Sequence, residues 1–484
     1  MTAGEQKPDQ PGGDGVPWEA AVGAISGPRY RAIVQAVEIA IEAGRLRPGD
    51  RLPPQRELAR RLGVNLGTVG QAYATMQESG LVSGEVGRGT FITAPERADG
   101  PRSLWDHTAP ATFVDLSHNF PDRAPLHPAV ADIVREAAAA MDLGPLLARQ
   151  IDAGLPVHRQ AASAWLGRFG LHRSADDMMI TCGGQHGLAL AMAALTQPGD
   201  SVLTEELTFY GLRSAAGVMG RTLLGVRMDR HGLMPEYLDL ACRRTGTKVL
   251  FCTPTLHNPT TATMPAERRR EILAVARTHD LMIVEDDVWG FMPEVPELPF
   301  AALDPERAVY VTSLSKIVGP GLRIGMICMP RHAAHALGVA LRATTLMASP
   351  MTAEWAARLV ASPIMNGVIG SMRREIAARQ SIVAACLPER SLITRPDSFN
   401  VWMKLTNGWS SEAFTRAAEA AGVGVTPCSM FEVGIRNRSD AVRICLNGAP
   451  DQAALTWALH RLSATLTRPS LESMGGHTPR RLVR

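Results

Sequence analysis

The sequence predicts two folded domains, a small α+β domain near the N-terminus and a large α/β domain over most of the chain. Three observations predict this arrangement. At 484 residues, the chain is too long for one ordinary core. Two short helical segments and a hairpin pattern with glycine at its tip occur before residue 95. Further along, apolar strand-like runs alternate with helical ones, which is typical of a mostly parallel sheet covered on both faces.

The amino-acid composition is that of a globular protein. Hydrophobic residues make up 45% of the chain and charged residues 20%, as in soluble globular proteins. No apolar run approaches the ~18 residues that a membrane helix needs, and the N-terminus lacks the apolar core of a signal peptide. Seven dispersed cysteines without paired spacing indicate reduced thiols. We therefore expect a cytoplasmic protein that does not enter a membrane, and the net charge of +3 is too small to indicate a nucleic-acid partner.

We predict the domain boundaries at segments that are rich in glycine, proline and polar residues. We expect a disordered tail over 1–24, a small domain over 25–94, a linker over 95–115, a large domain over 116–466 whose smaller subdomain begins at about 350, and a flexible tail over 467–484.

The small domain has the spacing of a helix-turn-helix. An amphipathic helix is predicted over Arg29–Ala43, a short helix over Gln55–Leu62, a turn at Gly63 and a second helix over about Leu66–Ser79. The segment LVSGEVGRGTFI that follows has the pattern of a small hairpin, or wing. In a helix-turn-helix the second helix enters the major groove of DNA. Helical hairpins without DNA-binding function have the same spacing, so this pattern alone leaves both interpretations open.

In the large domain, six apolar runs are predicted strands, and helical stretches such as 185–195 and 266–279 separate them. The predicted strands are MMITC (178–182), SVLTE (201–205), KVLFCTP (248–254), LMIVEDD (281–287), AVYVTS (308–313) and RIGMICM (323–329).

The segment from LRPGDRLPPQRELARRLGV to EVGRGTFI resembles the winged helix of the GntR family over roughly 65 residues. The resemblance implies that Arg56 contacts a phosphate or a base and that Thr68 contacts a phosphate. It also implies that Arg88, flanked by Gly87 and Gly89, places the wing in the minor groove.

The second helix departs from that family, which usually carries arginine at two positions where this chain has Leu66 and Gly70. Arginine bidentate to guanine is the commonest specific base contact. We therefore expect base recognition by Asn65, Gly67 and Gln71 or weaker DNA binding, and the family's target sequence does not transfer.

Lysine is rare in this chain, with four residues among 50 basic ones. Unlike arginine, lysine can lose its proton and form an imine, so each lysine is a candidate for amine chemistry. Lys316 lies in VTSLSKIVGPGLRIG, which resembles the cofactor-lysine segment of fold type I aminotransferases. The resemblance implies that Lys316 binds pyridoxal phosphate as an internal aldimine, with Ser313 and Arg323 on the phosphate. An exposed loop lysine is the alternative.

Three more motifs occur in the order that this family requires. ITCGGQHG resembles the phosphate-binding turn at a helix N-terminus, to which Gly184 and Gln185 correspond. In TPTLHNPTT, Asn258 matches the asparagine that donates to the phenolic oxygen of the cofactor. In IVEDDVWGF, Asp286 matches the partner of the pyridine nitrogen.

Two single residues extend the resemblance. Phe209 matches the aromatic residue that stacks on the cofactor ring, and its alternative is an ordinary core phenylalanine. Arg443 matches the arginine that binds the α-carboxylate of an amino-acid substrate or effector, and its alternative is a solvated strand arginine.

Three departures fall in the same site. Gly184 replaces the serine of the phosphate loop, and Trp289 lies in or beside the position of a tyrosine that usually bonds the ring oxygen. Arg149 takes the place of a tyrosine that the neighbouring subunit usually supplies. These changes weaken the expectation of efficient catalysis more than that of cofactor binding.

By these motifs, which cover residues of about 25–465, the chain resembles the MocR/GabR-type subfamily of GntR transcription regulators. The resemblance implies promoter DNA and an amino-acid-like effector as partners, pyridoxal phosphate as cofactor and a head-to-tail homodimer. Two alternatives remain open. One is a genuine aminotransferase with a vestigial winged helix, which Leu66 and Gly70 favour; the other is a sensor of pyridoxal phosphate alone.

Overall fold

The computed structural model of the chain describes residues 18–25, 28–42, 45–47, 49–78, 81–85, 89–92, 113–118, 128–148, 153–434 and 440–468. The chain divides into two compact units, residues 1–99 and 100–484. Within the described ranges, no helix is both long and apolar enough to cross a membrane.

The N-terminal unit is a winged helix-turn-helix. It consists of a 3-10 helix (Trp18–Ala24), α1 (Arg29–Glu42), α2 (Gln55–Leu62), α3 (Leu66–Glu78), β1 (Val82–Glu85) and β2 (Gly89–Ile92). Gly63 ends α2 with φ 64°, a left-handed conformation that glycine adopts without steric cost, and so makes the turn into α3. Strands β1 and β2 pair antiparallel. The predicted helices and hairpin are confirmed.

Residues 18–24 are an exception to the prediction of a disordered tail over 1–24, which is wrong for this segment. Trp18 and Val22 are buried in one apolar core with Ile33 and Val37 of α1. Burial of these two side chains removes apolar surface from water and thereby stabilises the segment. Residues 1–17 lie outside the described ranges.

The large unit contains thirteen α-helices and fifteen strands within its described residues. Its helices are α4 (Pro128–Ala140), α5 (Leu143–Leu147), α6 (Pro156–Gly167), α7 (Gly184–Leu195), α8 (Tyr210–Val218), α9 (Pro235–Thr245), α10 (Ala266–His279), α11 (Phe300–Leu303), α12 (Arg331–Thr344), α13 (Pro350–Ala361), α14 (Ile364–Cys386), α15 (Ser411–Ala420) and α16 (Gln452–Thr467). Its strands are β3 (Val114–Asp115), β4 (Met178–Thr181), β5 (Ser201–Glu205), β6 (Thr222–Val226), β7 (Met228–Asp229), β8 (Gly232–Leu233), β9 (Val249–Cys252), β10 (Met282–Asp286), β11 (Ala308–Ser313), β12 (Gly325–Cys328), β13 (Leu392–Ile393), β14 (Asn400–Lys404), β15 (Val423–Gly424), β16 (Thr426–Pro427) and β17 (Ala441–Cys445).

Seven strands form the main sheet in the order β4-β12-β11-β10-β9-β5-β6. All neighbours pair in parallel except β12, which is antiparallel to both β11 and β4. Every residue of β9 and β11 is buried, as expected of strands covered on both faces. The six strands predicted from apolar runs are all present in this sheet. The sequence did not predict β6, an edge strand with partly exposed residues.

A smaller C-terminal sheet has the order β13-β14-β17-β16, and its described pairs are antiparallel. Strand β3 pairs in parallel with β15, so Val114 and Asp115 belong to the large unit. The predicted linker over 95–115 is therefore two residues too long. Helix α16 includes Thr467, so the predicted tail over 467–484 begins within a helix, and residues 469–484 lie outside the described ranges.

The carboxyl ends of the main strands carry the predicted site residues. Gly184 follows β4, Phe209 follows β5, Asn258 follows β9, Asp286 ends β10 and Lys316 follows β11. Because parallel strands end at the same edge of a sheet, ligands of such folds bind there. The fold thus brings residues more than 130 positions apart in the sequence to one edge.

Candidate functional site

The helix-turn-helix presents α3 with one buried and one exposed face. Buried Val69 and Tyr73 belong to the core of the unit, whereas Leu66, Gly67 and Gln71 are exposed. The described range ends before the tip of the hairpin, so Gly87 and Arg88 lie outside it. Arg149 of the large unit also lies outside the described residues.

The residues predicted to contact DNA differ in what they do within the fold. Arg56 is exposed on α2. Asn65 caps α3, because its Oδ1 accepts hydrogen bonds from Thr68 N at 2.8 Å and from Thr68 Oγ1 at 2.9 Å. Gly89 begins β2 with φ 125°, and a Cβ there would lie 2.5 Å from Arg51 Nε. The structure therefore gives Asn65, Thr68 and Gly89 tasks within the fold, and their contacts with DNA stay predictions.

In the large unit, a cavity of about 480 Å³ opens at the carboxyl edge of the main sheet. Every residue predicted to bind the cofactor or the effector carboxylate lines it: Gly184, Gln185, Phe209, Asn258, Asp286, Trp289, Ser313, Lys316, Arg323 and Arg443. The volume lies within the usual range for small-molecule sites of about 300–1,000 Å³.

One end of the cavity suits an anion. Helix α7 begins at Gly184, where the first backbone N–H groups of a helix have no partner within the helix and favour negative charge. Arg323 donates from Nη2 to the carbonyl of Cys182 at 2.8 Å, which holds its guanidinium beside the start of α7. A Cβ on Gly183, whose φ is 88°, would lie 3.0 Å from Arg323 Nη2. Glycine at this position therefore allows the close approach of the arginine.

The hydroxyl of Ser313 lies near the same end. Its Oγ donates to Ser315 Oγ at 2.9 Å and contacts the carbonyl of Ile324 at 3.2 Å. Gln185 donates from Nε2 to the carbonyl of Gly211 at 2.8 Å. These bonds fix both side chains at the wall of the cavity.

Asp286 supplies a carboxylate with one buried oxygen that has no hydrogen-bond partner in the described structure. Its Oδ1 is buried and forms no hydrogen bond with any described residue. Burial, together with the nearby carboxylates of Asp287 and Glu205 and against the opposing effect of Lys316, raises the pKa of Asp286 to about 7. An unsatisfied buried polar atom costs free energy, so this geometry favours a ligand that carries a donor.

Lys316 has the complementary property. Burial lowers the pKa of its amine to about 8, and Arg443 acts in the same direction, while Cys445 and Asp286 act against it. The amine lies 5.4 Å from the centre of the Trp289 ring, which stacks on Phe399 with 4.6 Å between centroids. At pH 7 about a tenth of the amine is therefore neutral and able to act as a nucleophile, a far larger fraction than for an ordinary lysine.

Arg443 is buried on β17, and most of its donors bond to the protein. Nη1 donates to Asn258 Oδ1 at 2.8 Å, and Nη2 donates to the carbonyl of Ser117 at 2.5 Å. The guanidinium lies 4.8 Å from the centre of the Phe431 ring. Nε is buried without an acceptor in the described part of the chain, so one donor remains for a ligand. The alternative of a solvated strand arginine is wrong, because only 1% of Arg443 is exposed.

These features fit pyridoxal phosphate. The phosphate requires an anion site, which α7 and Arg323 form, and the aldehyde requires an amine of low pKa, which Lys316 provides. The unpartnered oxygen of Asp286 suits a protonated ring nitrogen. The loop alternative for Lys316 is wrong, because its side chain lines the cavity rather than the surface.

Part of the cavity wall was not predicted from the sequence. Val288 lines the cavity together with Trp289. Tyr210, Ser214 and Thr253 also line it. Tyr210 is next to Phe209, Ser214 lies one helical turn after Tyr210, and Thr253 directly follows β9, so closeness to Phe209 and Asn258 in the sequence is the signal that could have indicated them.

Two family models match the chain. The model of bacterial regulatory proteins of the gntR family matches residues 29–92, and the model of aminotransferase class I and II matches residues 111–462. Together they cover most of the described residues of both units.

Relatives and solved structures agree with these matches. The chain is 28% identical to the uncharacterized HTH-type transcriptional regulator YdeF of Bacillus subtilis, over 88% of this chain and 92% of the relative. It is 27% identical to the vitamin B6 salvage pathway transcriptional repressor PtsJ of Salmonella typhimurium, over 90% and 98%. The fold matches a kynurenine aminotransferase of Pyrococcus horikoshii, solved with PMP, with a TM-score of 0.67 and 24% identity over 74% of this chain and 91% of that one.

A winged helix-turn-helix joined to an aminotransferase-type domain defines a class of DNA-binding transcription regulators. The chain belongs to the aminotransferase class I and II family and, by its gntR-family domain, to the regulators of the MocR/GabR type.

Proposed function

We propose that the large unit binds pyridoxal phosphate and an amino-acid-like effector in the cavity, and that this binding alters how the N-terminal unit binds promoter DNA. One observation carries the proposal. One cavity of about 480 Å³ is lined by a lysine of low pKa, two arginines and an aspartate with one buried oxygen that has no partner in the described structure.

Different residues of the cavity bind the phosphate and the ring of the cofactor. Arg323, Ser313 and the start of α7 at Gly184, with Gln185 beside it, bind the phosphate. Asp286 keeps a proton on the ring nitrogen. When bound, the cofactor supplies an aldehyde that reacts with amines and a ring that withdraws electrons.

Further side chains complete the site. Asn258 donates to the ring oxygen, and its own Oδ1 is already held by Arg443. Phe209 covers the ring, and Trp289 closes the cavity near the amine of Lys316. Lys316 would hold the cofactor through its aldehyde, and the lowered pKa of the Lys316 amine leaves it able to hold or release a proton.

The effector is an amino compound with a carboxylate. The buried Nε of Arg443, which lacks an acceptor in the described structure, favours a carboxylate at that end of the cavity. Coupling to DNA requires that the effector bind the two states of the protein with different affinity.

Two other functions have specific support. A genuine aminotransferase with a vestigial winged helix is favoured by the complete set of Lys316, Asp286, Asn258 and Arg323, and residual or half-transamination is part of our proposal. A sensor of pyridoxal phosphate alone is favoured by Val288 and Trp289, since neither supplies a phenol at the tyrosine position.

The decisive experiment measures binding of the purified protein to its own upstream DNA and to scrambled DNA at fixed salt, because salt sets the phosphate contribution. Binding to each DNA is measured without ligand, with pyridoxal phosphate, and with pyridoxal phosphate plus a set of amino acids. We expect specific binding that changes with the last addition and a response that Lys316→Ala abolishes. A response to cofactor alone supports the sensor. Multiple-turnover transamination without specific DNA binding supports the enzyme.

We further propose that the protein acts in the cytoplasm, where it meets its DNA, as a head-to-tail homodimer. The support is the family's domain combination. Analytical ultracentrifugation of the full chain tests the dimer, and a monomer at micromolar concentration would contradict it.

A further inference from the structure

The exposed face of α3 has an unusual chemistry for a DNA-recognition helix. Helix α3, LGTVGQAYATMQE, contains no lysine or arginine. Its buried side chains belong to Val69, Ala72, Tyr73 and Met76, so the helix has one orientation relative to its core. Leu66, at the first turn, is exposed together with Gly67, Gln71 and Ala74, and Gly70 is half-buried. The surface available to base edges is therefore mostly apolar.

Two polar residues at the start of this helix, Asn65 and Thr68, are hydrogen-bonded to each other. Asn65 Oδ1 accepts from both the backbone and the hydroxyl of Thr68, at 2.8 and 2.9 Å. An asparagine needs its oxygen to accept from adenine N6 in a bidentate contact, so Asn65 is poorly placed for that contact. Gln71 is exposed and lies one turn after exposed Gly67, on the same face of the helix.

We propose that α3 recognises A·T base pairs, with Leu66 packing on a thymine C5-methyl group and Gln71 bonding both N6 and N7 of an adenine. The side chain of Leu66 remains 45% exposed at the first residue of the helix, where recognition helices contact bases. Apolar contact with the thymine methyl and bidentate glutamine–adenine pairing are the contacts that these two side chains can make in the major groove. The proposal rests on the DNA-binding function of the N-terminal unit.

The two glycines allow the helix to approach the bases closely. A Cβ at Gly67 would meet only Asn65 Oδ1 within 4 Å, at 3.4 Å, and one at Gly70 would meet only Gln55 Oε1, at 3.5 Å. Neither glycine is thus required by packing inside the unit. Positive charge for the phosphates comes instead from α2, where Arg56 and Arg60 are exposed.

The test selects binding sites for the full-length protein, loaded with pyridoxal phosphate, from a randomised DNA duplex pool at fixed salt. The selected site is then remade with single replacements. Deoxyuridine in place of one thymine removes only the methyl group, and we expect about fourfold weaker binding at the position that Leu66 contacts. 7-Deazaadenine removes N7 and should weaken binding at the position of Gln71. 7-Deazaguanine in the central positions should change nothing.

Variants assign each effect to its residue. Leu66→Ala should abolish the penalty for deoxyuridine and leave that for 7-deazaadenine, and Gln71→Ala should do the reverse. Arg60→Gln is the control, since it should weaken binding to all duplexes alike and reduce the salt slope by about 1. Leu66→Arg with Gly70→Arg should move the preference toward guanine, because the space at Gly70 admits a side chain.

A selected site with a guanine core that is sensitive to 7-deazaguanine and insensitive to deoxyuridine would overturn this inference and leave the regulator function intact. Equal binding of every duplex, under all ligand conditions, would overturn both.

Discussion

Arg443 donates a hydrogen bond from Nη1 to Asn258 Oδ1 at 2.8 Å, and this bond joins the small C-terminal sheet to the loop that follows β9 of the main sheet. A second bond, from Nη2 to the carbonyl of Ser117, fixes the guanidinium in place. The residue proposed for the effector carboxylate and the residue proposed for the cofactor ring therefore position each other. Binding at one is expected to influence the other, because they share a donor and an acceptor in a buried network.

Arg443→Leu is the first test of this arrangement. We expect it to weaken binding of amino acids by roughly thirtyfold, since removal of one partner of a buried charge pair costs about 2 kcal/mol or more. The measurement is titration of the loaded protein with amino acids, followed by cofactor absorbance. Primary amines of the same size without a carboxylate serve as the control, and their affinity should not depend on Arg443. Equal losses for both ligand classes would indicate that the variant damages the cavity instead.

Lys316 gives a prediction on pH. Because burial lowers the pKa of its amine to about 8, the neutral form is minor below that pH and dominant above it. The rate at which the unliganded protein takes up pyridoxal phosphate should therefore rise with pH and level off above about 8. Stopped-flow absorbance gives this rate. A profile that keeps rising toward pH 10 would show that the amine has an ordinary pKa.

Borohydride reduction of the loaded protein should fix the cofactor to Lys316, and Lys316→Arg should abolish this labelling. Lys248→Arg is the matched control, since Lys248 is bonded to the carbonyl of His279 away from the cavity. Labelling that survives Lys316→Arg would contradict the assignment.

Much of the fold followed from short-range patterns. The apolar runs that became β9, β10 and β11 are continuous because these strands are buried on both faces, and motif order placed Lys316 and Asp286 in one site. Three features could not be predicted from the sequence because they depend on packing between distant segments. Strand β6 has the mixed exposure of an edge, Trp18 is buried only because α1 lies against it, and the bond from Thr68 to Asn65 depends on where α3 begins.

Asp286→Asn should separate stability from cofactor binding. An unfolded aspartate has a pKa of 3.8, and the folded chain raises the pKa of Asp286 to about 7, so the folded state binds the proton more tightly. The resulting stabilisation is complete below about pH 4 and is lost as the pH rises to about 7. The unliganded variant should therefore melt at a higher temperature than the parent at pH 8, by roughly 1–2 °C per kcal/mol gained for a unit of this size.

The same variant should bind pyridoxal phosphate roughly tenfold more weakly or worse, because a charge-assisted hydrogen bond is lost. Differential scanning calorimetry and absorbance titration give the two quantities. A lower melting temperature with unchanged cofactor affinity would mean that Asp286 supports the fold and not the ligand.

The buried ion pair of Arg269 and Glu285 stabilises two segments that carry residues of the cavity. Arg269 Nη1 donates to Glu285 Oε1 at 2.9 Å, and both side chains are almost completely buried. Arg269 also donates to Thr255 Oγ1 at 2.9 Å, in the loop that carries Asn258. Because Glu285 precedes Asp286 on β10, this arginine joins two of the segments that line the cavity.

Arg269→Met should lower the free energy of unfolding by about 3–5 kcal/mol, because it leaves a buried carboxylate without its partner. Burial raises the pKa of Glu285 to about 7 even beside Arg269, so the loss should be smaller at pH 5, where the unpaired carboxyl is protonated, than at pH 8. Urea unfolding at the two pH values measures this. Arg270→Met, at the exposed neighbouring position of α10, should change stability by less than about 0.5 kcal/mol. Equal effects of the two variants, or a loss independent of pH, would show that Arg269 acts through packing and not through its charge.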